Sequence, residues 1–174
     1  MNRTRKLTEM AMMIALAVMC SFIKVWEMPQ GGSVALTMIP LLLISFRLGT
    51  VCGMISGGVY GIISMLISGV IYHPASILLD YIFAFALVGL AGFFRRDLKG
   101  IIFGSFVGVA GRFLSSLISG AVIFEEYAPA GQNPWIYSLV YQATYMIPEL
   151  VICIAVLIFL YFNARRIFDV KPLR

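Results

Sequence analysis

The sequence predicts an all-α integral membrane protein: a six-transmembrane-helix bundle with both termini in the cytoplasm. Three observations carry that expectation. Hydrophobic residues make up 61% of the chain and charged residues only 12%, whereas soluble domains are about a quarter charged. The apolar residues fall in long runs and give a mean hydropathy of +0.97. Divided into spans of about twenty residues, the chain holds about six crossings and little else, so residues 1–174 read as a single membrane domain.

The first run, 7–26, follows Arg3, Arg5 and Lys6. Val18-Met19-Cys20 is a poor match to a signal-cleavage or lipoprotein site, so the run is expected to remain as an uncleaved first helix. Met28-Pro29-Gln30-Gly31-Gly32-Ser33 then breaks the pattern with turn-forming residues. A shorter run, 34–46, ends at Arg47, and 48–72 carries no charge. The fourth run, 75–94, starts after His73-Pro74, contains Asp80 and stops at Arg95-Arg96-Asp97 and Lys99. The fifth, 101–124, contains Arg112; after a polar connector, 125–134, the sixth, 135–163, contains Glu149.

Charge sets the orientation. Six spans put the termini, the Arg47 turn and the Arg95–Lys99 turn on one side, which is rich in Lys and Arg. The opposite connectors have none, although Lys24 lies near the end of the first run. The positive-inside rule then places the termini in the cytoplasm and the Gly-rich and Glu-bearing loops outside. The net charge of +5 thus reflects membrane insertion, and no nucleic-acid partner is expected.

Gly53, Gly57 and Gly61 recur every fourth residue, as do Gly104 and Gly108, a spacing that lets helix backbones approach closely. Ala11 and Ala15 form a similar small-residue stripe on the first helix, either for the bundle or for a partner.

Several function classes are set aside. No GxxxxGK[ST] phosphate loop is present, so any uphill movement takes its energy from outside the chain. Cys20, Cys52 and Cys153 are isolated and His73 is the single histidine, so neither a His-based metal cluster nor a cofactor is implied. No GxSxG accompanies His73. An intramembrane enzyme using His73 and a serine, and a ligand-free structural subunit, stay as alternatives to ligand capture.

Ionisable groups inside apolar spans are functional candidates by default. Arg112 and Glu149 each sit near the middle of adjacent antiparallel spans, which suits an internal ion pair more than ligand contact. Asp80 lies only one to two turns below the outer surface with no basic residue at its level, so a cationic or amino-bearing ligand fits it. Tyr72, Tyr81, Phe124, Tyr127, Trp135, Tyr137, Tyr141 and Tyr145 fall near the same level. Tyr137, Tyr141 and Tyr145 share one helical face, with Gln142 beside it. Aromatic faces attract cations and stack on flat heterocycles. The expected site is an outward pocket for a small, flat, possibly cationic solute.

The chain resembles the thiamine-specific substrate-binding (S) components of energy-coupling factor (ECF) transporters over nearly its whole length. The segments that carry the likeness are Met28-Pro29-Gln30-Gly31-Gly32-Ser33-Val34, His73-Pro74 and Leu78-Leu79-Asp80-Tyr81. Further on are Ser119-Gly120, Tyr127-Ala128-Pro129, the stretch 134–139, and Tyr141 with Thr144-Tyr145-Met146. The resemblance implies a multi-pass protein of a bacterial plasma membrane that captures a vitamin outside the cell. It would dock on a transmembrane coupling protein served by two cytoplasmic ATPases, and topple in the membrane to deliver its cargo. It implies substrate-binding roles for Asp80, Tyr81, Phe124 and Tyr137, with Tyr72 and Tyr141 in the same aromatic group. The loop containing Gln30, Gly31, Gly32 and Ser33 would act as a lid, and Ala11 and Ala15 would face the coupling protein. In two pocket positions the chain departs from the family pattern, with Ser116 in place of a histidine and Gln142 in place of an asparagine. Those departures keep a vitamin pocket and admit a thiamine precursor, an analogue or another small heterocyclic vitamin beside thiamine itself.

Overall fold

The structure, a computed structural model, describes residues 3–28, 32–68, 73–129 and 131–168. Helix α1 spans Arg3–Ser21, and a hairpin of β1 (Lys24–Glu27) and β2 (Ser33–Ala35) follows it. Helices α2 (Met38–Leu48) and α3 (Thr50–Ser68) come next. Helix α4 runs over Pro74–Phe93, α5 over Leu98–Val122 and α6 over Pro134–Asn163. By length and composition α3, α4, α5 and α6 are each apolar enough to cross a membrane, and α2 is a shorter apolar helix.

The largest departure from the sequence expectation lies at the end of the first run. Helix α1 stops at Ser21, where Oγ donates to the Val18 carbonyl at 2.7 Å, and does not reach Trp26. The chain beyond it turns into an antiparallel pair, with Trp26 opposite Val34, Glu27 opposite Ser33, and an irregularity between Lys24 and Trp26. The Met28 N–H donates to the Gly32 carbonyl at 2.9 Å and closes the hairpin. Val25, Trp26 and Val34 are strand-forming types, but three or four residues per strand give no stable hairpin alone. Docking supplies the rest: Val34 is buried with Tyr145 and Met146 of α6.

Because Val34 and Ala35 belong to the hairpin, α2 begins only at Met38. Pro40 falls in its first turn, where the missing N–H costs nothing. Every residue from Met38 to Phe46 is buried, so α2 is the central post, with α1, α3, α4, α5 and α6 packed around it. Gly49 ends it with φ of +89°, a conformation that favours glycine, and α3 starts at the next residue. The later helices begin at identifiable caps. Asp97 accepts from Gly100 N at 2.9 Å, which moves the start of α5 ahead of the expected residue 101. Asn133 accepts from Trp135 N at 2.9 Å, with Pro134 in the first turn of α6.

Helix α4 is sandwiched between α3 and α5, and small residues set its distance from both. A Cβ on Gly57 would lie 2.1 Å from the Phe85 carbonyl oxygen, and one on Gly61 2.2 Å from that of Tyr81. Gly89 of α4 faces back, 2.3 Å from Met54 N by the same measure, and Gly108 of α5 closes on the Val88 carbonyl at 2.7 Å. The four-residue glycine spacing is therefore bundle packing. The segment Ile77–Phe83 of α4 adopts a wider, π-helical turn, a distortion frequent at functional sites. Asp80 sits in its middle.

At the end of the bundle where α1 begins, Arg47 ties three segments together. It pairs with Glu9 of α1 at 3.0 Å, donates to the Ile167 carbonyl, and lends its own carbonyl to Arg96 at 3.0 Å.

Gly57→Ala should force α3 and α4 apart and lower stability by about 1–3 kcal/mol, read as a lower thermal midpoint of the purified protein. Gly58→Ala, whose Cβ would have nothing nearer than 4.0 Å, should leave that midpoint unchanged.

Candidate functional site

A cavity of about 760 Å³ lies beneath the hairpin, enclosed by side chains of α3, α4, α5 and α6. Two facing helices line one side of it by four-residue steps. Arg112, Ser116, Gly120 and Phe124 descend from α5 and its C-terminal end, while Tyr137, Tyr141, Tyr145 and Glu149 line it from α6. Residues four apart share a helical face, so each helix presents one continuous strip. Along α6 the rings of Tyr137 and Tyr141 are 6.1 Å apart and tilted. Those of Tyr141 and Tyr145 are 6.2 Å apart and edge-on.

Polar rungs join the two strips. Ser138 Oγ donates to the Leu117 carbonyl at 3.0 Å, with room left by Gly120, whose Cβ would sit 2.3 Å from that hydroxyl. Gln142 Nε2 donates to the Ser116 carbonyl at 3.2 Å, and Gln142 Oε1 accepts from the Tyr145 hydroxyl. Deepest, Arg112 Nη1 meets Glu149 Oε2 at 3.1 Å. The Phe85 ring lies against that guanidinium, 4.5 Å from centroid to carbon, and takes the edge of Tyr60 at 4.7 Å.

Asp80 and Tyr81 enter from the π-helical turn of α4. One oxygen of the Asp80 carboxylate accepts from Ser119 Oγ, and Ser119 is fully buried. Among the described residues Asp80 has no ion-pair partner within 4.0 Å. The carboxylate is thus held in place at a cavity wall by a hydroxyl and not by a direct ion pair.

The hairpin forms the roof. Lys24, Glu27, Met28, Gly32 and Ser33 line the cavity from above, and Lys24 Nζ pairs with Glu27 Oε1 at 2.5 Å. Gly32 has φ of +88°, and a Cβ there would lie 2.8 Å from the Tyr145 ring. Glycine is required twice over, once for the backbone turn and once for the fit on Tyr145.

Of the residues expected at the site, Asp80, Tyr81, Ser116, Phe124, Tyr137, Tyr141 and Gln142 all border this one cavity, as do Gly32 and Ser33. Tyr72, Gln30 and Gly31 lie outside the described residues. Trp135 is half-exposed at 50% and does not border the cavity, as an interfacial aromatic would not. Ala11 and Ala15 are exposed on α1, beside the outward Met12, Leu16 and Met19. His73 caps α4, its Nδ1 accepting from Ala75 N at 3.2 Å.

Sequence reading placed Arg112 and Glu149 together as an ion pair and did not count them, or Tyr60, as cavity residues. The four-residue steps 112–116–120–124 and 137–141–145–149 were the available signal.

Comparison with known proteins assigns the chain. The pattern of the family described as Thiamine transporter protein (Thia_YuaJ) matches residues 7–169. This protein belongs to that thiamine transporter family. It is 39% identical to a protein named thiamine transporter ThiT of Bacillus subtilis (strain 168), over 96% of this chain and 97% of that one. A second relative of that name, from Lacticaseibacillus paracasei, is 30% identical over 59% of this chain and 60% of its own length. Among solved structures, ThiT from Listeria monocytogenes superimposes with a TM-score of 0.87 at 23% identity, covering 97% of this chain and 99% of that one. The S component of a bacterial ECF transporter gives a TM-score of 0.66 at 20% identity, covering 95% and 98%. The fold of this thiamine transporter family member is therefore that of ECF S components.

Gly32→Ala should unseat the hairpin from Tyr145 at a local cost of about 1–3 kcal/mol. Limited trypsin digestion should then cleave faster at Lys24, while the thermal midpoint of the bundle stays near that of the parent chain.

Proposed function

We propose that this protein is the substrate-capturing S component of an ECF-type vitamin uptake system, binding thiamine or a close analogue from outside the cell. The observation that carries the reading is the Asp80 carboxylate, fixed by Ser119 on the wall of a tyrosine-lined cavity. A thiazolium-type cation supplies the charge that this carboxylate lacks, and the Tyr137–Tyr141–Tyr145 face with Phe124 offers flat surface for the rings. Tyr81 and Ser116 fix orientation by hydrogen bonding, and Gln142 borders the same space. The hairpin closes over the ligand, with Gly32 and Ser33 at its inner surface.

In this reading all of α1 to α6 lie in a bacterial plasma membrane as one domain, with the termini in the cytoplasm and the hairpin outside. The K/R-rich cluster around Arg47 then sits at the inner surface. ATP hydrolysis belongs to partners: a transmembrane coupling protein and two cytoplasmic ATPases, engaged through the exposed Ala11–Ala15 stripe of α1. Membership of a transporter family supports this over catalysis, and His73 is already engaged as a helix cap. Ser116 and Gln142 support a second ligand reading, another small heterocyclic vitamin or a thiamine precursor, because the Gln142 amide is bonded within the protein on both sides.

Titrating the purified protein with thiamine while following the fluorescence of Trp26 and Trp135 should give saturable quenching at micromolar ligand or below. A flat signal from folded protein would reject thiamine, and mass spectrometry of the co-purifying small molecule would then name the alternative. Asp80→Asn should weaken thiamine binding by about 1.5–3 kcal/mol, the worth of a hydrogen bond to a charged group, or about tenfold to 150-fold. Ala11→Trp should abolish co-purification with the coupling protein and ATPases and leave thiamine affinity unchanged.

A further inference from the structure

The arginines gathered at the Arg47 end of the bundle take no part in the cavity. We infer that they form a separate site, which binds the phosphate headgroup of an anionic lipid of the inner leaflet through Arg96 and Arg165. This goes beyond vitamin capture and rests only on the placing of that end at the inner membrane surface.

Three segments bring the arginines together. Arg96, from the connector between α4 and α5, donates from Nη2 to the Arg47 carbonyl at 3.0 Å, among the carbonyls that a helix end leaves open. Arg47 in turn donates to the Ile167 carbonyl, at the close of the short turn Arg165–Ile167 that follows α6. Arg165 opens that turn, and its guanidinium lies over the Tyr161 ring, 5.2 Å from centroid to carbon. Phe168 pins the turn to the bundle: it is 1% exposed, with its ring 6.4 Å from Phe46 and 6.1 Å from Tyr161. Both arginines are therefore positioned before any ligand arrives. A guanidinium has five N–H donors in a planar fork that matches phosphate oxygens, and Arg96 spends one of them on Arg47.

Charge at this end is unbalanced. Arg95, Arg96, Lys99, Arg165 and Arg166 are exposed, and among the described residues none has an acidic partner within 4.0 Å. The acids described here are already engaged. Glu9 meets Arg5 with one oxygen and Arg47 with the other, and Asp97 caps α5. The neighbouring surface says which phosphate fits. Phe159 and Phe162, on the last turns of α6 just before Arg165, are 64% and 69% exposed. They offer a wall for acyl chains, which a free phosphate ion could not use.

The test places the full-length protein in nanodiscs of phosphatidylcholine, with and without phosphatidylglycerol, and reads the thermal midpoint. The difference between the two lipids is compared, so that a loss of intrinsic stability in a variant cancels. In the parent chain phosphatidylglycerol should raise the midpoint by about 2–4 °C or more, the scale of one basic contact to an anionic surface in a chain of this size. Arg96→Gln combined with Arg165→Gln should remove most of that gain. Lys6→Gln, which removes an exposed base of α1 at the same end, should keep it. Equal midpoints for the parent chain in both discs overturn the site. A gain lost as fully in Lys6→Gln overturns it too, because diffuse surface charge then suffices. An equal gain from inorganic phosphate added to phosphatidylcholine discs overturns the lipid as the source. Should the double variant fail to fold, Arg165→Gln alone is compared with the parent by native mass spectrometry after incubation with both lipids. The parent should retain phosphatidylglycerol in preference and the variant should lose that preference; unchanged retention overturns the site.

Discussion

Burying charge among apolar helices costs several kcal/mol per ion unless each finds a partner with good geometry. In this protein that constraint shapes the α5–α6 interface. The two helices do not meet as smooth apolar surfaces. They meet through Ser138 on Leu117, Gln142 on Ser116 and Arg112 on Glu149, each bond satisfying a group that lipid would leave unpaired. These rungs join the two helices where they pack closely, with Gly120 against Ser138, and the cavity-facing strips run along that contact.

A second constraint works from the opposite wall. Glycines 53, 57 and 61 of α3, answered by Gly89 of α4, bring those two backbones into direct contact. A widened turn, Ile77–Phe83, lies beside Gly61, and that turn carries Asp80. Close packing on one side of α4 thus accompanies the placement of a carboxylate on the other, where Ser119 of α5 receives it. The hairpin depends on the same framework. Its strands are too short to stand alone, and it sits where Gly32 and Val34 meet Tyr145.

Much of this was legible in order along the chain. Hydropathy located the helices, Arg47, the charges around Asp97 and the polar connector 125–134 marked helix ends, and tyrosines at four-residue spacing announced one face. Asp80 stood out because a charge in an apolar run needs a reason. The hairpin was not legible, because Lys24–Glu27 continues an apolar stretch that local pattern alone assigns to helix. Its strands pair with each other, and Val34 docks them on residues more than a hundred positions away. The π-helical turn, packed against a glycine of another helix, was equally silent.

The sequence by itself determined the solvent, the direction of each helical face and the presence of an unmatched acid, because composition and periodicity are properties of a single segment. Tertiary structure alone decided the partners. Ser119 reaches Asp80 across 39 residues, and the carbonyl of Ser116 holds the Gln142 amide across 26. Periodicity tells which way a side chain points along its own helix. It carries no information about the height and rotation at which a second helix docks, and hydrogen bonds depend on those two quantities.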